Sequence, residues 1–154
     1  MPKTYSAVVA DASCFILLDK IDGLSLLEYL FQSIITSAEV ADEFGKPLPD
    51  WVQIKVVKDK NFQSALFLQV DAGEASAIAL AAENLPSLLI IDDLKGRKLA
   101  QKLNLTITGT LGVILTAKRE GVIPFVKPFF DRIQATNFRI SPALLASILQ
   151  KAGE

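Results

Sequence analysis

The stretch Leu88-Leu89-Ile90-Ile91-Asp92-Asp93 carries the clearest chemical signal in the chain: four aliphatic residues run straight into two acids. A continuous apolar run of this kind suits a strand buried on both faces, as in a parallel sheet covered by helices. The acids then fall at the carboxyl end of the strand, the edge of an open α/β sheet where ligands bind. Ala7-Val8-Val9-Ala10 leading to Asp11 is a weaker copy of the same pattern. Glu39 with Glu43, and Asp71 with Glu74, place further acids at predicted helix starts and faces.

Taken singly, each acid has an ordinary role. Asp11, Asp92 or Asp93 can cap the helix that follows, at about 1 kcal/mol each. Glu74 sits in a predicted first helical turn, where the helix dipole favours an anion. Glu39 and Glu43 suit a solvated helix face. Taken together they mean more, because strands ending at Asp11 and Asp92 are expected to be neighbours in a parallel sheet. Crowded carboxylates repel and raise one another's pKa, and a bound cation offsets that repulsion. With oxygen ligands only, Mg²⁺ or Mn²⁺ is the matching metal. Such an ion activates water and stabilises charge on a phosphate under attack, so the pattern points to metal-dependent phosphodiester hydrolysis.

Composition narrows the chemistry further. The chain has no histidine, which removes Ser-His-Asp and Cys-His catalysis and His-bearing zinc sites. The single cysteine, Cys14, cannot form an internal disulfide, in keeping with a reducing compartment, and is expected on the inner face of the first helix. With 51% apolar residues there is ample material for a core, and 154 residues suit one domain spanning 1–154. No apolar run approaches the ~20 residues that span a bilayer, and no basic-then-apolar leader opens the chain, so a cytoplasmic protein is expected. A net charge of −1 excludes strong non-specific nucleic-acid binding through bulk charge.

Strands are predicted at Ser6 to Ala10, Ser33 to Thr36, Trp51 to Val57, Leu88 to Ile91 and Leu105 to Ile107. Helices are predicted at Ala12 to Leu18, Leu24 to Phe31, Ala38 to Phe44 behind a Ser37 cap, Phe62 to Phe67, Ala75 to Glu83 and Leu94 to Leu103. Three more follow: Gly109 to Glu120, Phe125 to Ala135, and one started by Ser141-Pro142 that runs to Lys151. The alternation indicates an α/β fold, a three-layer α/β/α arrangement around a parallel sheet of about four or five strands.

The order of the motifs resembles the PIN-domain family of small α/β ribonucleases. The matching features are Asp11-Ala12-Ser13 after the first strand, Glu43 on the third helix and Gly73-Glu74-Ala75-Ser76-Ala77-Ile78. Asp92-Asp93 followed by Arg97 and Ala100, and the turn Gly109 to Gly112, complete them. The likeness runs roughly from Ser6 to Ala135 and is nearest to stand-alone prokaryotic members of the toxin–antitoxin type. It implies Asp11, Glu43, Glu74 and Asp92 as catalytic acids and metal ligands, with Asp93 as a further ligand or a helix cap. It implies Ser13 and Thr110 as supporting hydrogen-bonding groups. It also implies RNA as substrate, Mg²⁺ or Mn²⁺ as cofactor, and a protein antitoxin as partner. Glu74 departs from the Asp that many family toxins carry at the third position.

Lys95, Arg97, Lys98 and Lys102 lie on the predicted helix after Asp93, with Lys95, Lys98 and Lys102 sharing one face by spacing. They form either a solvated outer face or a patch that positions RNA phosphates. Phe125, Phe129, Phe130 and Phe138 are expected in the core; any left exposed by the last two helices would mark an interface for a homodimer or an antitoxin. Two other functions fit part of the pattern. One is a PIN-like nucleic-acid- or protein-binding module with little catalysis. The other is a phosphoryl-accepting signalling domain, disfavoured because that fold places its acid pair after the first strand.

Overall fold

Five short strands pair in parallel in the order β3-β2-β1-β4-β5: β1 (Ala7–Ala10), β2 (Ile34–Thr36), β3 (Val52–Ile54), β4 (Ser87–Ile90) and β5 (Thr106–Thr108). The structure is a computed structural model that describes residues 4–154. The chain steps outward from β1 to β3, crosses back to lay β4 on the other side of β1, and continues to β5. The reversal therefore falls between β1 and β4, whose register pairs Val9 with Leu89 and Ala10 with Ile90. Asp11 and Asp92 leave the sheet side by side at this switch point, the place where open α/β sheets form a crevice.

Helices cover both faces in three α/β/α layers, nine of them among the described residues: α1 (Ala12–Lys20), α2 (Ser25–Phe31), α3 (Ala38–Phe44), α4 (Lys60–Phe67), α5 (Ala72–Ala82), α6 (Leu94–Lys102), α7 (Thr110–Arg119), α8 (Lys127–Gln134) and α9 (Pro142–Lys151). The central element is α5, which packs across β1 and β4 and receives α3, α4 and α6 on its flanks. Its small residues allow that closeness: Ala75, Ala77 and Ala81 are wholly buried, as is Ile78. Elsewhere α7 packs against α1 and α2. Cys14 is buried and free, in the structural position expected of it.

Several boundaries move from their predicted positions for local reasons. Helix α5 begins at Ala72 rather than Ala75, because Asp71 Oδ1 accepts the Glu74 N–H at 2.8 Å and caps the turn before it. Helix α4 likewise starts at Lys60, capped by Asp59 through the Phe62 N–H. The extended stretch Trp51 to Val57 contributes only Val52–Ile54 to the sheet. After Lys55 N–H bonds Thr36 O the chain leaves the edge, and Val56 faces solvent. Of the four C-terminal phenylalanines, Phe130 is buried, Phe129 and Phe138 are half-buried, and Phe125 lies exposed ahead of α8.

The last helix is stapled back onto the body. Glu154 accepts the Val126 N–H at 2.8 Å and the Lys127 N–H at 3.1 Å, which open α8. It also pairs with Lys118 Nζ at 2.8 Å, and the same ammonium donates to the Ala152 carbonyl.

Helix α6 approaches the end of β4 closely. A methyl group on Gly96 would stand 2.6 Å from Cδ1 of the fully buried Ile91. Gly96→Ala should therefore destabilise by about 1–3 kcal/mol through overpacking, despite alanine's better helix propensity. Ile91→Val removes the clashing methyl, so the double variant should lose less stability than the two single changes added together. Urea denaturation of the four proteins checks this; strict additivity would mean that the approach is not tight.

Candidate active site

The site is built at the carboxyl edge of β1 and β4 by the first residues of the helices that follow. Asp11 occupies the N-cap position of α1, yet its carboxylate makes no capping hydrogen bond and is buried. Glu43 reaches in from the last turn of α3. That helix is tied to α5 through a buried hydrogen bond of 2.6 Å between the Ser37 and Ser76 hydroxyls. Ser76 Oγ donates to Gly73 O at 2.7 Å, so Ser37 is the donor to Ser76 while it accepts the Val40 N–H as the α3 cap.

Asp71, Gly73 and Glu74 come from the start of α5. The missing side chain of Gly73 leaves the gap around which the acids gather. A Cβ placed there would lie 3.0 Å from Glu43 Oε1, 3.6 Å from Asp71 Oδ1 and 3.8 Å from Asp11 Oδ1. Glu74 is buried beside them, with Oε2 facing Gly96 of α6.

Asp92 and Asp93 divide their duties. Asp92 is gripped by Thr110, the first residue of α7: Oδ1 accepts its N–H at 2.8 Å and Oδ2 accepts its hydroxyl at 2.6 Å. Asp93 caps α6 by accepting the Gly96 N–H at 3.2 Å, and it stays exposed. Arg97 is turned inward, donating to Ile91 O at 2.9 Å. Lys95, Lys98 and Lys102 line a separate groove of about 340 Å³ with Gln69 and Val70, alongside the segment that leads into Asp71. The structure thus gathers Asp11, Glu43 and Glu74, with Asp92 and Asp93 beside them, and leaves the three lysines on an adjoining surface.

Asp71 belongs to the same cluster. The family resemblance singles out only Glu74 from this pair, although the Asp-x-x-Glu spacing signals a helix start with both carboxylates in one turn. Its charge acts on Asp11, Glu43 and Glu74 alike.

The electrostatics follow from burial and crowding. Burial pushes the Asp11 carboxyl up to about 7; the Ala12 N–H opposes this, and the charges of Glu43, Asp71 and Asp92 add to it. Glu74 rises to about 8, again mainly through burial, then through Asp71, Asp93 and Asp11. Glu43 is raised by burial and then by Asp71. Cys14 behind them is pushed up by burial, so its thiol stays protonated and unreactive.

A hard divalent cation fits this donor set. The groups offered are carboxylate and hydroxyl oxygens, and the gap at Gly73 is bounded by three carboxylates. Ser13 Oγ is shielded from solvent and has no hydrogen-bond partner, although it lines the cavities at the site. Among the described residues, however, no group of three or more acids is drawn into a finished metal-holding cluster.

Comparison with known proteins agrees with the fold. A family model described as a PIN domain matches residues 7–154. The chain belongs to the PIN-domain family, a nuclease-type fold whose members generally bind nucleic acid and use divalent metal ions. No curated protein and no solved structure matches it. No helix among the described residues is long and apolar enough to cross a membrane.

The raised carboxyls make the metal-free protein sensitive to pH. Asp11 and Glu74 hold their protons more tightly folded than unfolded, so their contribution to stability is complete below about pH 4. It is lost as pH rises through their folded values of about 7 and 8. In EDTA the melting temperature should therefore fall steadily between about pH 5 and pH 8, and Asp11→Asn should flatten part of that fall. A melting temperature constant across this range would show that these carboxyls are not raised in the folded protein.

Proposed function

We propose that the chain is a Mg²⁺- or Mn²⁺-dependent endoribonuclease that hydrolyses RNA at the Asp11–Glu43–Glu74–Asp92 edge. The observation that carries this reading is the gathering of mutually repelling carboxylates around Gly73, with Asp11 and Glu74 buried among them, at the switch point of a PIN fold. Asp11, Glu43, Glu74 and Asp92 would hold the ion, with Asp93 and Asp71 at its border. When bound, such an ion supplies water activation and charge stabilisation for displacement at phosphorus.

The protein's own groups prepare the site. Thr110 fixes both oxygens of Asp92, so this acid is presented in one orientation. Asp11 and Glu74 are the acids that hold protons near neutrality and must release them to act as ligands. The unpartnered Ser13 hydroxyl is free to donate to a phosphate oxygen or a water at the site. Lys95 and Lys98, with Lys102, offer local positive charge on a near-neutral chain, and would hold flanking phosphates without reading sequence. Arg97 contributes from its anchored position beside Asp92. In the same reading the chain works as one domain over 1–154 in the cytoplasm, as the toxin of a toxin–antitoxin pair. Half-buried Phe129 and exposed Phe125 of the C-terminal region would then face an antitoxin or a second copy.

Divalent metal should stabilise the folded protein, by about 2.7 kcal/mol at one hundred times its dissociation constant. RNA cleavage in Mn²⁺ should vanish in EDTA and in Asp11→Asn, Glu43→Gln and Asp92→Asn. Glu39→Gln should retain it, since that carboxylate is engaged by Gln63 away from the cluster. Asp11→Asn should also be at least as stable as wild type in EDTA, because a buried repelling charge is gone, and should lose the gain from Mn²⁺. Identical melting curves with and without saturating Mn²⁺ would refute the metal site.

Replacing both Lys95 and Lys98 by alanine should weaken RNA binding at low salt. The slope of log affinity against log salt should become shallower by about 0.7 for each phosphate of a single strand that is no longer neutralised. An unchanged slope would return both lysines to the solvated surface.

A further inference from the structure

Two cavities flank the acidic edge, and they share two lining residues, Ser13 and Phe138. The smaller, about 330 Å³, runs past Glu43, Lys20 and Asn137. The larger, about 760 Å³, runs past Asp92, Asp93 and Arg97 along α7 to α9. Both volumes lie within the rough 300–1,000 Å³ range of small-ligand sites. Phe138 therefore stands at their boundary together with Ser13, whose hydroxyl is shielded and unpartnered, with Glu43 lining one side and Asp92 and Asp93 the other.

The backbone that carries the ring is tied down. Thr136 Oγ1 accepts the Phe138 N–H at 3.1 Å, and Asn137 Oδ1 accepts from Lys20 Nζ at 3.2 Å, which pins the turn to the end of α1. Each cavity also carries positive charge: Lys20 in the smaller, Arg97 and Lys151 in the larger. The larger has apolar walls from Leu111, Leu115 and Ile148. A cavity with apolar walls, cations and carboxylates in its lining and an aromatic ring at its boundary suits a nucleobase on a phosphate backbone that runs to the acids.

We propose that Phe138 is a stacking and positioning residue for single-stranded RNA, with one base seated against its ring in the larger cavity and the chain crossing past Ser13 into the smaller. The proposal rests on the ribonuclease reading above and deepens it by assigning the base subsite. Its consequence is placement: stacking at the boundary fixes which phosphodiester lies over the carboxylates. Phe138 is a positioning residue in this scheme, since the reacting atoms lie at the acids.

The test uses a short mixed-sequence RNA strand carrying 2-aminopurine, an adenine analogue whose emission is quenched when it stacks. Binding is read in EDTA, and steady-state cleavage in Mn²⁺, for wild type, Phe138→Leu and Phe138→Tyr. Leucine keeps the apolar packing but removes the π face, whereas tyrosine keeps both. Phe138→Leu should bind about ten-fold more weakly, lose the quenching and show the loss mainly in KM; Phe138→Tyr should restore all three. Equal quenching and KM in the leucine variant, or no binding by wild type, would overturn the subsite. If wild type binds with Phe138-dependent quenching but cleaves no strand in Mn²⁺, the subsite stands and the ribonuclease reading fails. If wild type cleaves and the leucine variant is indistinguishable, the reverse holds.

Discussion

Like charge pressed together at one edge of the sheet is the constraint on which the rest depends. The strand order leaves no alternative: with β1 and β4 paired in parallel, Asp11 and Asp92 emerge as neighbours, and α5 brings Asp71 and Glu74 to the same edge. The protein relieves this crowding unevenly. Asp71, Asp92 and Asp93 each accept an N–H at a helix start, from Glu74, Thr110 and Gly96 respectively. The positive ends of three helix dipoles are thereby aimed at three of the acids. Asp11 and Glu74 are the two that burial, then neighbouring charge, drives up to about 7 and about 8; only the adjacent Ala12 N–H lowers the first, and no backbone donor lowers the second. The fold thus separates acids oriented by helix N–H donors from acids left short of partners.

Keeping poorly compensated charge in place demands a stiff frame. Helix α5 provides it, because its alanines let β1, β4 and three helices close around one axis. The Ser37–Ser76 hydrogen bond carries that stiffness to α3, so Glu43 is set by a buried polar link rather than by its exposed surroundings. Thr36 Oγ1 adds a second link from β2 to Ala10 O, one residue before Asp11. These hydroxyls act as spacers that fix the distances between acids arriving from separate segments.

Much of this was legible in the residues. The unbroken aliphatic run before Asp92 required burial on both faces, which required a parallel sheet, and the carboxyl-edge position of the acids followed. The five strands and the helices between them were visible as alternation. What sequence could not show was which oxygen each acid spends on a neighbour. Asp92 and Asp93 are chemically identical in the chain, and only the approach of α7 gives Thr110 to the first and leaves α6 to the second. Asp71 read only as an acid near a helix start; its capping of α5 and its nearness to Glu43 depend on where that helix begins and how α3 docks on it. Arg97 looked like one of four basic residues on a helix, and its inward turn to Ile91 O is a property of the packed state. Phe138 was indistinguishable from its aromatic neighbours because its half-burial is decided by a turn with no periodic signature.

The Glu154 staple changes how the C-terminal region comes apart. Its carboxylate closes the chain from Val126 into a loop containing both α8 and α9, anchored additionally through Lys118 to α7. A helix held by few tertiary contacts ordinarily frays from its last turn inward, one hydrogen bond at a time. Here the last turn is the anchored part, so the two helices are joined into one cooperative unit of local unfolding. Because α9 walls the larger cavity, that cavity opens by release of the whole unit rather than by gradual loosening, and hydrogen exchange in α8 and α9 carries a common opening free energy.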